Sequence, residues 1–531
     1  MRFRKEESVM QGNDRRTQPS VAVKPLNRHG RVFMEKKVIQ LSALFIMGIV
    51  FYLCMGQEWV ALEKDSAFYL DLTLKNNGVM PVYPLFLFGI RAVFGENLYL
   101  GAAVVLQSLI AIFCTMLFVL YLQSIFRLRF VEVILCYILA MLPFTIELPK
   151  AGITHEILTE GIAYPLFYIY FILVLKYVFS GKIKWILSVV MMAVLMSLIR
   201  SQLICLLGVT AAVYICVQLV KCGGKKSRRR VVRIAVDLCI SVVGIGALFF
   251  LINQVNNGYQ QYAVPAMIRM EQGNTEADNE GEAAETKATG SGEAKKSVSI
   301  SQMTRLIVIR GFYEADEADV ELFDTPQMRE MFRRAYTAID ELEYRYVYAR
   351  QGLYLWRDLV KDKIAGVVAG EVRAYLEENP DVSLNAAQVV RELGMKVLLK
   401  HFDRYLYHTI RLMISSFIAS VFFQIERIYL ICHIITLLLF VIAITGAIYC
   451  MKNSRDHMAA VLMLVAVGTI IMMVGIINMI FVGLQRYMVY MMGIFYCSMY
   501  LLMKSTVLTA SRRHPKNRLL AGAAHILGGQ G

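Results

Sequence analysis

Three acids and two arginines in this chain stand where charge is expensive, at the ends of long apolar runs. Asp65 follows the first run, Glu156 and Glu160 precede a later one, Arg200 separates two, and Arg486 splits the last pair. Two tyrosines accompany them: Tyr83, with Pro84, in a short apolar stretch, and Tyr487 directly after Arg486. Charges at such depth need a partner or a polar cavity. Carboxylates and guanidiniums gathered on one side of a membrane suit a particular chemistry. A carboxylate takes the proton of an acceptor hydroxyl while cations hold a phosphate leaving group. Taken singly, each residue has a plainer reading. An arginine at a span end snorkels to headgroups, and Glu160 complements a helix N-terminus. The case rests on the combination.

Other chemistries find no footing. The patterns G-x-x-x-x-G-K-[ST], H-E-x-x-H and G-x-S-x-G do not occur, and no two aspartates are spaced D-x-D. The acidic stretch from Glu314 to Asp324 lacks the glycine and spacing of a calcium loop and reads as a solvated turn. The ten cysteines lie in or beside apolar runs, never spaced C-x-x-C, and read as small buried hydrophobes. No metal or cofactor is expected.

The elements that must position these residues are helical and apolar. Of 531 residues, 57% are hydrophobic and 18% charged, with mean hydropathy +0.52. Apolar runs fall at roughly 38–56, 98–123, 130–147, 160–179, 184–199, 202–220, 234–252, 429–450, 458–481 and 487–504. They predict an all-α polytopic membrane protein with about ten transmembrane helices. The stretch Leu85 to Phe94 is too short to span and is expected to lie along the surface. A net charge of +15 would signal nucleic acid in a soluble chain. Here the basic residues cluster between apolar runs, so they mark topology, and no nucleic-acid partner is expected.

Residues 1–37 hold ten Lys/Arg against four acids. Arg127 to Arg129, Lys182 to Lys184, Lys225 to Arg230, Lys452 to Arg455 and the tail after Lys504 are basic too, and the alternate connections are not. Positive charge stays inside. Both termini are therefore expected in the cytoplasm of a multi-pass cell-membrane protein, with all the candidate site residues on the opposite face. The division is a basic tail over 1–37, a transmembrane region over 38–252, an extracytoplasmic segment over 253–428, further spans over 429–504 and a cytoplasmic tail over 505–531. Within the long segment, 271–296 holds seven acids and three lysines and predicts a disordered loop. From about 298 to 405 the pattern predicts a small helical domain. Thr325-Pro326 opens one of its helices, and Ser383 to Asn385 opens another through Val389, Leu393, Val397 and Leu398. The run 405–424 is apolar enough to insert, but spanning there would reverse every later loop. A helix lying at the interface is expected instead.

In order, D-S-A-F-Y, P-V-Y-P-L-F, L-T-E, L-I-R-S-Q and L-Q-R-Y-M-V-Y resemble the GT-C integral-membrane glycosyltransferases, in particular the protein mannosyltransferase and aminoarabinose transferase group. The resemblance covers roughly 38–220 and, loosely, 429–504. It implies a polyprenyl-phosphate sugar donor, transfer outside the cytoplasm to a glycan, lipid or protein acceptor, and Asp65 as the catalytic base. Tyr83, Pro84 and Tyr487 would then border the substrate cavity, Glu160 or Glu156 would supply a second acid, and Arg200 and Arg486 would bind the donor phosphate. Relatives often carry two adjacent acids in the first loop, whereas Ser66 follows Asp65 here. Two rival readings use the same features: a non-enzymatic transporter or flippase of a polyprenyl-linked glycan, and a glycan polymerase or ligase. A flippase needs polar groups along a path through the bilayer, and Gln107 and Asp237 are the main mid-span candidates.

Overall fold

A computed structural model describes residues 28–55, 58–71, 79–145, 151–221, 228–270, 302–341, 359–422, 429–454, 457–480 and 485–527. Each of the ten apolar runs contains a helix among its described residues. The first part of the chain builds α1 (Arg28–Leu53), α2 (Val82–Phe94), α3 (Tyr99–Phe126), α4 (Phe130–Met141), α5 (Glu160–Ser180), α6 (Ile183–Ile199), α7 (Cys205–Lys221) and α8 (Arg228–Gly258). The helical domain holds α9 (Gln302–Glu314), α10 (Pro326–Glu341), α11 (Leu359–Glu378) and α12 (Ala386–Lys400). It is followed by α13 (Phe402–Ala419), α14 (Tyr429–Asn453), α15 (Met458–Ile480), α16 (Met492–Arg513) and α17 (Arg518–Ile526). Among the described residues there is no strand, and the sole β-pairing is a parallel bridge between Ala61 and Glu156.

Among the described residues, seven helices are long and apolar enough to cross a membrane: those within 99–126, 160–180, 201–221, 236–270, 430–453, 458–479 and 489–513. The other three runs give shorter apolar helices, Lys37–Leu53, Phe130–Thr145 and Ile183–Ile199. Helix α1 begins at Arg28, inside the expected tail 1–37, and α16 and α17 carry helix through most of 505–531. The acidic stretch 271–296 lies outside the described residues.

Helices α3 and α5 form the middle of the bundle, where Phe118, Tyr168 and Phe171 are buried. They approach closely because Gly161 opens α5: a Cβ there would lie 2.8 Å from the Gln107 side chain. Helix α8 is the opposite case. It runs on through a π-turn at Tyr259–Ala263 and exposes Val243, Phe250 and Leu251. Pro265 has no N–H to offer and its ring crowds the carbonyl four residues back, which the wider π-turn relieves.

Helices α9 to α12 have a separate core of Val308, Phe312, Phe332, Ile339, Val368 and Leu393. Both predicted starts occur. The Thr325 hydroxyl accepts from Met328 N–H at 3.3 Å, and Asn385 caps α12 by accepting from Ala387 and Gln388 at 3.0 and 3.2 Å. Helices α9 and α12 touch backbone to backbone, and a Cβ on Gly311 would fall 2.5 Å from the Gly394 carbonyl oxygen.

Helix α13 departs from the expectation for 405–424. Phe402, Leu406, Ile410 and Ile414 form an exposed apolar stripe, as an interfacial helix requires. Its far end, however, dips among the apolar helices. Phe417 stacks on Phe440 at 4.0 Å, Thr436 donates to the Ile418 carbonyl at 3.2 Å, and Tyr496 donates to the Val421 carbonyl at 2.7 Å. Those hydroxyls satisfy carbonyls that a helix end leaves open. The domain is pinned to the end of α15. Arg310 donates to the Asn478 carbonyl at 3.1 Å, Tyr405 to the Met479 carbonyl at 3.3 Å, and Ser416 to Asn478 Oδ1 at 3.0 Å.

Candidate functional site

The site grows from a loop that fills space left by a short helix. Helix α4 and the 3-10 turn Leu142–Thr145 end early, and residues 151–159 are buried in the bundle. Ala61 holds this loop in extended form, donating to the His155 carbonyl at 2.9 Å and accepting from Ile157 at 3.1 Å. Gln107 clamps it from α3. Its amide donates to the Thr154 and Glu156 carbonyls at 2.9 and 3.2 Å, and its oxygen accepts from the Tyr83 hydroxyl at 2.9 Å. One side chain thus ties α2, α3 and the loop together, and every polar atom it owns is used structurally.

The clamp delivers Glu160 to the first turn of α5, where it forms a buried ion pair with Arg200 from the end of α6. Thr159 closes the triangle: its hydroxyl accepts from Arg200 Nη1 at 2.9 Å and donates to Glu160 at 3.0 Å. Arg200 Nε is held by Gln202, and its guanidinium lies 4.4 Å from the Tyr487 ring centroid. Arg200 Nη2 makes no hydrogen bond among the described residues. Neither charge would be stable alone in so apolar a setting.

Tyr69 connects this pair to Asp65. The turn Lys64–Ser66 and the short helix Ala67–Leu70 place the two residues four apart. Burial pushes the Tyr69 phenol up to about 12; Arg200 and a hydrogen bond with Thr159 act against the rise, while Glu160 and Asp65 add to it. Asp65 is half-buried. Its neighbour Ser66 is buried and accepts from the Glu63 N–H at 2.9 Å, so this position locks the turn.

Glu156 is buried beside Tyr83. Burial drives the Tyr83 phenol well above its ordinary value, with Tyr69, Glu160 and Glu156 reinforcing it. Tyr83 is fully enclosed, so it braces a wall and does not line an open cavity. Pro84, itself buried, lines a small cavity of about 20 Å³ between Tyr69, Leu87, Phe88, Arg91 and Tyr99. Its basic group is Arg91, paired with Glu96 and 5.6 Å from the Tyr99 ring centroid. Arg486 stands on the helical turn Gln485–Met488, but its side chain lies outside the described residues.

Asp65, Glu156, Glu160, Arg200, Tyr83 and Tyr487 therefore share one end of the bundle. Sequence reasoning missed Tyr69, Thr159, Gln202 and Tyr490, which packs on Tyr164 at 4.4 Å. Tyr69 lay inside the quoted D-S-A-F-Y, and Thr159 inside L-T-E, so the motifs held them without marking them. His155 turns from the acids toward Trp59, 5.1 Å away, and burial lowers its imidazole pKa. Among the described residues no cluster of three or more His, Cys, Asp or Glu is arranged to hold a metal. No protein-family model matches this chain, and a search of curated proteins finds no significant match.

Proposed function

We propose that the chain is a membrane glycosyltransferase of the GT-C kind, crossing the cell membrane ten times with both termini and the basic connections in the cytoplasm. Its candidate site and helical domain then face outward. The observation that carries the reading is the convergence of Asp65, Tyr69, Glu160, Arg200 and Tyr487 from four separate segments at one end of the bundle.

In this mechanism a polyprenyl-phosphate sugar enters from the bilayer and a hydroxyl-bearing acceptor from the aqueous side. Asp65 takes the hydroxyl proton as the acceptor oxygen bonds to the anomeric carbon. The bond from that carbon to the phosphate oxygen breaks, and its electron pair leaves with the phosphate. Arg200 meets the developing charge through Nη2, with Arg486 as its expected companion. Glu160 keeps Arg200 in place before the donor arrives. A lipid phosphate is itself an activated leaving group, so this route needs no nucleotide.

The flippase reading loses one of its two mid-span groups, because Gln107 is fully occupied as a clamp. The deciding experiment uses Asp65→Asn in nanodiscs with a polyprenyl-phosphate sugar donor, measuring binding and transfer separately. Binding should persist while transfer falls by about 10²–10⁴, the usual worth of general base catalysis. Near-normal transfer removes Asp65 from the mechanism, and the absence of any transfer by the unaltered protein removes the enzyme reading.

A further inference from the structure

Helix α17 sits just beyond α16 and is held by a short, well-capped turn. Asn517 N–H donates to the His514 carbonyl at 3.0 Å, and the Asn517 side chain accepts from Leu519 and Leu520 at 3.1 and 3.2 Å. Only Ala524 of the nine residues is buried. Leu519 and Ile526, seven apart and so on one face, are 86% and 78% exposed. A helix of nine residues is too short to persist alone in water, so this apolar face needs a cover. The surrounding charge states which kind. Arg512, Arg513, Lys516 and Arg518 are all exposed around the turn, and the sequence holds no acid after Asp456. Helix α16 is apolar and of spanning length, so its end is where a bilayer surface would lie.

We propose that α17 is a membrane-surface anchor that lays Leu519 and Ile526 into an anionic lipid leaflet while these four cations bind its phosphate headgroups. The apolar residues supply depth and the cations supply the choice of lipid. This assignment is independent of the transferase reading, since it concerns the end of the bundle away from Arg200.

The test compares the full-length protein in nanodiscs of phosphatidylcholine alone and in discs doped with phosphatidylglycerol, following amide hydrogen exchange over 519–526. Each cation near an anionic surface is worth roughly fivefold in docking, so exchange should be at least about tenfold slower in the anionic discs. Arg518→Gln should remove roughly fivefold of that protection. Salt near 1 M, where charges are screened beyond about 3 Å, should abolish the difference between discs. Equal exchange in both discs, fast or slow, overturns the proposal. Protection that rises with protein concentration in phosphatidylcholine discs also overturns it, in favour of a second copy of the chain covering the same face.

Discussion

Two buried carboxylates, Glu160 in the membrane-type bundle and Asp319 in the helical domain, are held in contrasting ways. Asp319 is fully buried and its partners are plural. It accepts from Lys400 at 2.6 Å, from His401 at 2.9 Å and from the Asp316 backbone at 2.8 Å. Burial pushes its carboxyl up, yet the Lys400, Asp316 and His401 contacts prevail and hold it below the ordinary carboxylate value. Glu160 meets a guanidinium brought from another helix, with a threonine hydroxyl between them. A charge with several neighbouring anchors fastens a fold. A charge balanced by an arginine that also faces Tyr487 is placed to exchange partners.

The comparison breaks or holds first on Arg200→Met. It breaks the buried ion pair with Glu160 and should destabilise the protein by about 3–5 kcal/mol. Lys400→Met leaves Asp319 two other partners and should cost about 1–2 kcal/mol. Thermal unfolding of both variants in one detergent gives the ranking, and equal losses would erase the distinction. Replacing both members of the membrane pair, Glu160→Gln with Arg200→Gln, should recover much of the first loss.

Acid separates the regions next. The folded-state pKa of His155 lies below the ordinary 6.5, so the unfolded chain binds the proton first. Its contribution is complete above about 6.5 and declines as pH falls through that value toward the folded pKa. Asp319 is also depressed, from 3.8, so its contribution is present above that value and lost only as pH falls through the folded pKa. Exchange of amides near residue 155 should therefore accelerate at milder acidity than exchange in α12. The reverse order would contradict the assignment.

The most local expected effect concerns the joint between the regions. Arg310→Ala removes a buried, charge-assisted bond to the end of α15 and should cost about 1.5–3 kcal/mol of docking. The domain core should stay folded, because Phe312 and Leu393 do not depend on that bond. Exchange over 485–491 should rise while α12 remains protected. A loss of protection throughout the domain would make Arg310 part of its core and not a joint.

What the sequence disclosed follows the range of the forces involved. The caps at Thr325 and Asn385 act over three residues and are visible as local patterns. The apolar runs predict helices because burial follows composition. Gln107 was legible only as a polar group in mid-span, since its partners lie 24, 47 and 49 residues away. Tyr69 and Thr159 gain their roles from the Glu160–Arg200 pair, which joins two separate helices, and no pattern around either one announces it. For α13, hydropathy gave the interfacial stripe, but the dip of its end depends on hydroxyls supplied by Thr436 and Tyr496.

The short helices carry a consequence for the lipid. Helix α6 has 17 residues and α4 with its 3-10 turn has 12 and 4, which makes each roughly 25 Å long. A hydrocarbon core is about 30 Å thick. Both helices turn apolar side chains outward, Leu187 and Met191 on one, Val131 and Ile138 on the other. On the ten-span arrangement proposed above, a bilayer meeting them would thin locally to keep those surfaces dry. Around the ends that carry Arg200 and the 151–159 loop, the leaflet would then be dimpled, and a headgroup there would sit nearer the membrane centre than one in the surrounding sheet.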